Sequence, residues 1–131
     1  MLHMPGSYRI DRNARVVFSA ATGVFTAEDA WNQINQLLAD PEFDPTFGQL
    51  LDFSNVGPVN LTPAEIKNLA GVALFAPTAR RAFVSPTPLL YGLARMYAAQ
   101  REVQGDTGLG VFHTMDEALI WLGLRNPPPV V

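Results

Sequence analysis

Short apolar segments alternate along this chain with segments of helical spacing, and this alternation restricts the possible folds more than any other feature. Each helical segment opens with a threonine that precedes acidic residues or a proline, namely Thr26, Thr62, Thr87 and Thr114. A threonine at such a position accepts a hydrogen bond from the third helical amide, and proline suits the first helical turn. Strands that alternate with helices favour parallel neighbours joined by right-handed crossovers.

The predicted elements begin with a hairpin of residues 8–10 and 15–19, whose turn contains aspartate and asparagine. Further strands are predicted at residues 48–53, 82–84 and 110–113. The first helix is predicted from about residue 27 to 39, with four residues facing inward: Ala30, Ile34, Leu37 and Leu38. The sequence therefore predicts an α/β fold with a mixed, mostly parallel sheet of about five strands, an N-terminal hairpin and four helices.

The length of 131 residues suits one domain that buries its core without disulfides. We predict a single domain over residues 1–131, with a core at about 7–123 and a proline-rich tail at 124–131. The chain has no cysteine, which excludes thiolate catalysis and cysteine-ligated metal sites. No motif in the chain calls for a cofactor, and we expect none.

Charge and hydropathy limit the partners that the chain can have. The net charge of -3 and the scattered basic residues argue against nucleic acid and give little attraction to anionic lipid. The amino terminus lacks the apolar run of a signal peptide, and no apolar stretch approaches the ~20 residues of a spanning helix. We therefore expect a cytoplasmic protein whose contact with membranes is at most peripheral.

Three polar residues are predicted at the carboxyl ends of strands, where ligands of parallel sheets usually bind: Asp52, Ser85 and His113. A serine, a histidine and an aspartate in one cleft would be typical of a hydrolase. However, Ser85 precedes Pro86 and lies in no G-x-S-x-G motif, so we predict no catalytic triad. The chain has only two histidines, and the other one, His3, lies near the chain end. We therefore predict no metal site.

A second helix, predicted at residues 62–76, carries more apolar side chains than one buried face requires. If Ile66 and Leu69 face the sheet, helical spacing places Val72 off that face and Phe75 nearly opposite. Tyr91 lies similarly off the apolar face of the third helix. We predict an apolar contact site at Val72, Phe75 and Tyr91. The alternatives are that the helix end unwinds and Phe75 turns inward, or that a neighbouring helix covers it.

Short motifs cover nearly the whole chain: YRI at 8–10, Gly23 with TAED at 26–29, DPEF at 40–43, LDFSNV at 51–56, RAFV at 81–84, YGLARM at 91–96 and VFHTMDEALIWL at 111–122. Their order and spacing resemble the bacterial SpoIIAA-like proteins of the wider STAS/SEC14-like group. The resemblance implies a sheet flanked by helices and no established enzymatic activity. It also implies relatives of two kinds, phosphorylation-switched anti-sigma antagonists and carriers of apolar ligands.

The resemblance directs attention to Ser54 and Thr62 as switch candidates. Residues 52–56 are similar to the Asp-Leu-Ser-Gly-Val corner of the anti-sigma antagonists, whose phosphoacceptor follows in an Asp-Ser-Ser-Gly motif at a helix start. This chain has NLTP at 60–63, so the aspartate and the serine pair are missing. Because Thr62 also belongs to the set of four predicted caps, a structural role explains it without a kinase.

The function predicted from these features is a non-catalytic regulatory or protein-interaction domain that binds a protein partner or forms a small homo-oligomer, such as a homodimer. The alternative is a binder of a small apolar ligand or lipid, with peripheral membrane contact. In that alternative the second and third helices form a mobile pair, because each contains a glycine, Gly71 and Gly92. A partner subunit or a small apolar ligand is favoured over a bilayer.

Overall fold

The structure, a computed structural model, describes residues 6–126. Its elements follow in the order β1 (Gly6–Asp11), β2 (Val16–Thr26), α1 (Ala27–Ala39), β3 (Gly48–Asn60), α2 (Pro63–Ala70), β4 (Arg81–Val84), α3 (Pro88–Val103), β5 (Leu109–Phe112) and α4 (Met115–Trp121). The predicted fold class is confirmed. His3 and residues 127–131 of the predicted proline-rich tail lie outside the described residues, and the predicted domain limits stay a prediction.

The strands form one sheet in which spatial order equals chain order, β1-β2-β3-β4-β5. β1 is antiparallel to β2, and every other neighbouring pair is parallel. In the hairpin turn the Ala14 backbone N–H donates to Asp11 Oδ1 at 2.9 Å. Right-handed crossovers between sequential parallel strands place their helices on the same face, so α1, α2 and α3 cover one face of the sheet. α4 follows the last strand and packs on the other face.

Strand alternation divides the core between the two faces. Val16 belongs to a buried cluster on the α4 side, together with Leu50, Ala82, Val84 and Ala118. The adjacent Val17 belongs to the opposite cluster, together with Leu37, Leu74, Phe75 and Ala79. No helix within residues 6–126 is long and apolar enough to cross a membrane.

The threonine caps predicted at all four helix starts are confirmed. Each hydroxyl accepts a hydrogen bond from the backbone N–H three residues later, at 3.1 to 3.3 Å, in Thr26, Thr62, Thr87 and Thr114. In α1 and α2 the third residue also accepts from the backbone N–H of the cap, which completes a capping box. α1 has the predicted bounds, residues 27 to 39, and its start is fixed by the Thr26 cap.

Two features of the helices correct the prediction. α2 ends at Ala70 instead of 76, because Phe75 turns into the core, where it is 3% exposed. The backbone N–H of Ala76 then donates to the Pro45 carbonyl at 2.8 Å, which fixes the unwound segment. Leu38, predicted to face inward, is 58% exposed, because the neighbouring Leu37 fills the inner position and helical geometry turns the next side chain away by about 100°.

A buried ion pair fastens the end of α3. Arg101 donates through Nε to Asp106 Oδ2 at 2.9 Å and through Nη2 to Asp106 Oδ1 at 3.0 Å. Its Nη1 donates to the carbonyl of Ala70, the last residue of α2, at 2.9 Å. The hydrogen bonds to Asp106 are the largest cause of the raised pKa of Arg101. One guanidinium thus joins α3, the following turn and the end of α2.

Candidate functional site

The three residues predicted at one strand-end cleft do not share it. Asp52 is the register partner of Val84 and faces the α4 side, whereas Ser85, one residue further, faces the opposite side. The prediction of a common cleft is therefore wrong for Asp52. The Ser85 hydroxyl is fully buried and has no hydrogen-bond partner among the described residues. His113 is exposed, and its ring stacks on Tyr91 with 4.2 Å between centroids.

The two switch candidates lie on the surface. Asp52 Oδ1 accepts from the backbone N–H of Ser54 at 2.9 Å, where the pairing of β3 with β2 shifts register between Asp52 and Asn55, so Ser54 belongs to a bulge of β3. The Thr62 hydroxyl accepts from the backbone N–H of Glu65 at 3.1 Å, and Glu65 Oε1 accepts from the Thr62 N–H at 2.9 Å. A phosphate on Thr62 would face the carboxylate of that capping box. Phosphorylation of either residue stays a prediction.

The residues predicted as one apolar contact site have three different environments. Phe75 packs edge-on against Phe43, with 5.2 Å between centroids, inside the core. Tyr91 is half-buried against His113. Val72 lines a partly open pocket. The prediction of one surface that contains all three residues is therefore wrong, because the chain unwinds after α2 and Phe75 turns into the core.

That pocket is lined mainly by apolar side chains, and we call it the helix-side pocket because it lies between the sheet and α1, α2 and α3. Its volume is about 110 Å³. The sheet contributes Ala21, Phe25, Gln49, Leu51, Phe53, Arg81 and Phe83. The helices and the segments beside them contribute Ala30, Gln33, Ile34, Leu37, Leu61, Ile66, Leu69, Val72, Leu74, Leu90, Leu93, Ala94 and Tyr97. The wall is therefore mostly apolar, and its polar side chains are those of Gln33, Gln49, Arg81 and Tyr97.

An extension of two strands forms one wall of the helix-side pocket. β3 was predicted to end at residue 53, but it continues to Asn60 in parallel pairing with β2, with two register shifts along the way. Phe25, in the part of β2 beyond the predicted strand, meets Phe53 of β3 edge-on, with 5.4 Å between ring centroids. The added length of β2 thus brings Phe25 to the pocket.

The polar groups of the pocket include a hydrogen-bonded chain of buried residues. Arg81, 4% exposed, donates through Nε to Gln49 Oε1 at 3.0 Å and through Nη1 to the Tyr97 hydroxyl at 3.2 Å. Gln49 in turn donates through Nε2 to Ser19 Oγ at 3.3 Å. Gln49 and Arg81 are direct register partners on adjacent strands. Neither residue was predicted as a site residue from the sequence, although Arg81 is the one charged residue of the strand RAFV.

A second cavity lies on the α4 side of the sheet. Its volume is about 300 Å³, and its lining mixes polar and apolar groups, among them Arg9, Asp52 and Met115. It is more open than the helix-side pocket and lacks a continuous apolar wall. Within residues 6–126 no three histidine, aspartate or glutamate side chains are placed to hold a metal ion. We therefore take the helix-side pocket as the candidate site.

Comparison with known proteins supports the fold. No protein-family model matches the sequence, and no curated protein matches it. Among solved structures, the chain is similar to an uncharacterized protein of the DUF3478 family with a SpoIIAA-like fold from Shewanella loihica PV-4. The two are 21% identical, the match covers 89% of this chain and 93% of the other, and the TM-score is 0.56. The chain therefore has a SpoIIAA-like fold.

Proposed function

We propose that this protein is a non-catalytic binding domain that takes a small apolar ligand in the helix-side pocket. The observation that carries the proposal is a cavity of about 110 Å³ with a mostly apolar wall, in the layer between the sheet and the helices. Protein interiors are close-packed and hold few voids larger than one water molecule. A void of this size is therefore more than an ordinary packing defect.

The size of the cavity indicates the class of ligand. An engineered apolar cavity of about 150 Å³ stays dry and binds benzene, so a somewhat smaller one suits a single ring or part of an alkyl chain. Because the helix-side pocket is partly open to solvent, the rest of a longer chain can extend beyond it. Water would find hydrogen-bond partners only near the few polar side chains of this wall, and none along its apolar remainder. An apolar ligand would instead restore the dispersion contacts that the lining side chains lack.

The separation of reactive groups supports the non-catalytic part of the proposal. Asp52 and Ser85 face opposite sides of the sheet, and His113 stacks on Tyr91 without a hydrogen bond to Ser85 among the described residues. A ligand that binds only the folded state also raises the stability of that state.

Calorimetric titration with 1-octanol tests the proposal on the wild type and two variants of α1. Ala30→Leu enlarges a side chain that lines the helix-side pocket, whereas Ala39→Leu makes the same change at an exposed position of the same helix. We expect saturable binding to the wild type and to Ala39→Leu. In Ala30→Leu we expect a loss of at least about tenfold, or ~1.4 kcal/mol. No saturable binding to the wild type, or equal affinities of the two variants, would contradict the proposal.

A second candidate function, binding of a protein partner or of a second copy of this chain, is favoured by a different observation. α3 carries an exposed row of apolar and small residues, which we call the α3 stripe: Leu89, Gly92, Met96, Ala99 and Val103. Leu89 is 62% and Val103 86% exposed. The spacing alternates between three and four residues, as in a coiled-coil seam. Exposed apolar rows of this kind are typical of interaction sites.

Sedimentation over a range of protein concentrations tests the role of the α3 stripe in self-association. We expect Met96→Glu to lower the dimer fraction, while Asn68→Glu, which adds the same charge at an exposed position of α2, leaves it unchanged. If the wild type is monomeric at every concentration, the proposal of self-association is wrong. Equal effects of the two variants would show that charge alone, and not the stripe, controls assembly.

A further inference from the structure

Arg81 is a buried cation without a carboxylate partner in the part of the chain that the structure describes. It is the first residue of β4, and strand alternation turns it toward the helix-side pocket together with Phe83. Within residues 6–126, the ion pairs involve other arginines, and none reaches Arg81. The equally buried Arg101 has a two-point ion pair with Asp106. Only one of these two buried guanidinium groups is therefore neutralised.

The partners of Arg81 are neutral but hold it in place. Its Nε and Nη1 donate to Gln49 and to the Tyr97 hydroxyl. Its Cζ lies 4.6 Å from the centroid of the Phe75 ring, which offers an aromatic face to the cation. These contacts fix the plane of the guanidinium without cancelling its charge. A buried charge of this kind is costly unless a partner of opposite sign approaches it.

The pocket also has donors that its own side chains leave free. No hydrogen bond from Arg81 Nη2 is found among the described residues. The Tyr97 oxygen accepts the bond from Arg81, so its own proton remains able to donate. Arg81 Nη2 carries two N–H donors, and the Tyr97 hydroxyl adds a third donor. Together they suit a carboxylate, which has two acceptor oxygens and no donor when ionised.

We propose that the ligand of the helix-side pocket is an amphipathic carboxylate, whose ionised head binds Arg81 and the Tyr97 hydroxyl while its alkyl or aryl body lies against the apolar wall. This inference rests on the proposed apolar-ligand function and adds the chemistry of the head group. The carboxylate supplies the negative charge that Arg81 lacks, and the wall supplies the hydrophobic contact. A neutral alcohol of the same length keeps the hydrophobic contact and can accept a hydrogen bond from Arg81, but it gains no charge attraction, and an amine of that length meets a like charge.

The test compares octanoate, 1-octanol and 1-octylamine near pH 7, with the full chain, by calorimetry. We expect octanoate to bind at least about tenfold more tightly than octanol, because a charge-assisted hydrogen bond exceeds a neutral contact by that factor. We expect octylamine to bind more weakly than octanol. If octanol binds and octanoate binds no better, the carboxylate inference is wrong and the proposed function stands. If none of the three binds, both are wrong.

Three variants locate the preference for the carboxylate. In Arg81→Met the ratio of octanoate to octanol affinity should fall to about one. Tyr97→Phe removes only the hydroxyl, and the same ratio should fall severalfold, which keeps the inference testable if Arg81→Met does not fold. The control is Arg80→Met, because Arg80 is exposed and donates to the Trp121 carbonyl outside the pocket. A ratio that falls equally in Arg80→Met, or that survives in both pocket variants, would overturn the inference.

Discussion

Replacement of Arg101 by methionine should be among the most destabilising single changes in this chain. The substitution removes both hydrogen bonds to the Asp106 carboxylate, whose side chain is only 4% exposed. It also removes the 2.9 Å bond to the Ala70 carbonyl, which keeps a second donor, Gln104 Nε2, at 3.1 Å. The dominant cost is therefore the buried carboxylate that remains without a counter-charge. Loss of one partner of a buried ion pair typically costs about 3–5 kcal/mol.

The size of this effect makes it measurable by urea and thermal unfolding. For a domain of this length, each kcal/mol corresponds to roughly 4 °C, so the midpoint of Arg101→Met should fall by roughly 12–20 °C. The double variant Arg101→Met with Asp106→Leu removes the unpaired charge as well and should recover much of the loss. Arg101→Lys keeps the charge but loses the two-point geometry, and we expect an intermediate midpoint.

Two results would refute the reasoning about Arg101. The first is a loss below about 1 kcal/mol in Arg101→Met, which is the range of an exposed ion pair. The second is a double variant as unstable as the single variant. That result would mean that the lost packing of the guanidinium, and not the unpaired carboxylate of Asp106, accounts for the cost.

Further predictions concern the core, a helix cap and the response to alkaline pH. Leu37→Ala should cost about 2–5 kcal/mol in urea unfolding and Leu38→Ala less than about 0.5, since only Leu37 is buried. Thr62→Ala should cost ~1 kcal/mol and Thr62→Ser much less, while mass spectrometry of the protein from its native cells tests phosphorylation of Thr62 independently. Burial, with the hydrogen bond to Asp40, raises the pKa of Tyr8 from 10.0 to about 12. Its contribution to stability is therefore present below about pH 10 and lost as the pH rises toward 12. Between about pH 10 and 12 the free energy of unfolding of Tyr8→Phe should fall less than that of the wild type. Equal decreases in the two proteins would contradict this assignment.

Local signals explain why much of the fold could be predicted. The caps at Thr26 and Thr87 depend on hydrogen bonds to residues three positions away, so sequence alone contains both partners. The end of α2 depends on tertiary packing, because burial of Phe75 competes with continuation of the helix. The extension of β3 to Asn60 depends likewise on its pairing with β2. Helix starts were therefore predictable. The unwound end of α2 was only one of the alternatives, and the extension of β3 was not predicted.

The candidate site was harder to predict because its residues come together only through sheet register. Gln49 and Arg81 are 32 residues apart, and only the pairing of β3 with β4 places them side by side. Val72 was predicted from the sequence as an apolar contact residue, and it does line the helix-side pocket. The signal that could have pointed to Arg81 is a single charged residue at the start of a strand that is otherwise apolar and buried on both faces.

Methyl NMR during titration with 1-octanol tests the central claim, the existence of an apolar ligand site in the helix-side pocket, most directly. We predict saturable shifts of the methyl signals of Leu51, Leu69 and Leu93, which line the pocket, and little change for Val84, which is buried on the α4 side. The Ala30→Leu variant should reduce the shifts at each titration point. Shifts concentrated at Leu89 on the exposed α3 stripe, or no saturable shift at the pocket methyls, would contradict the account.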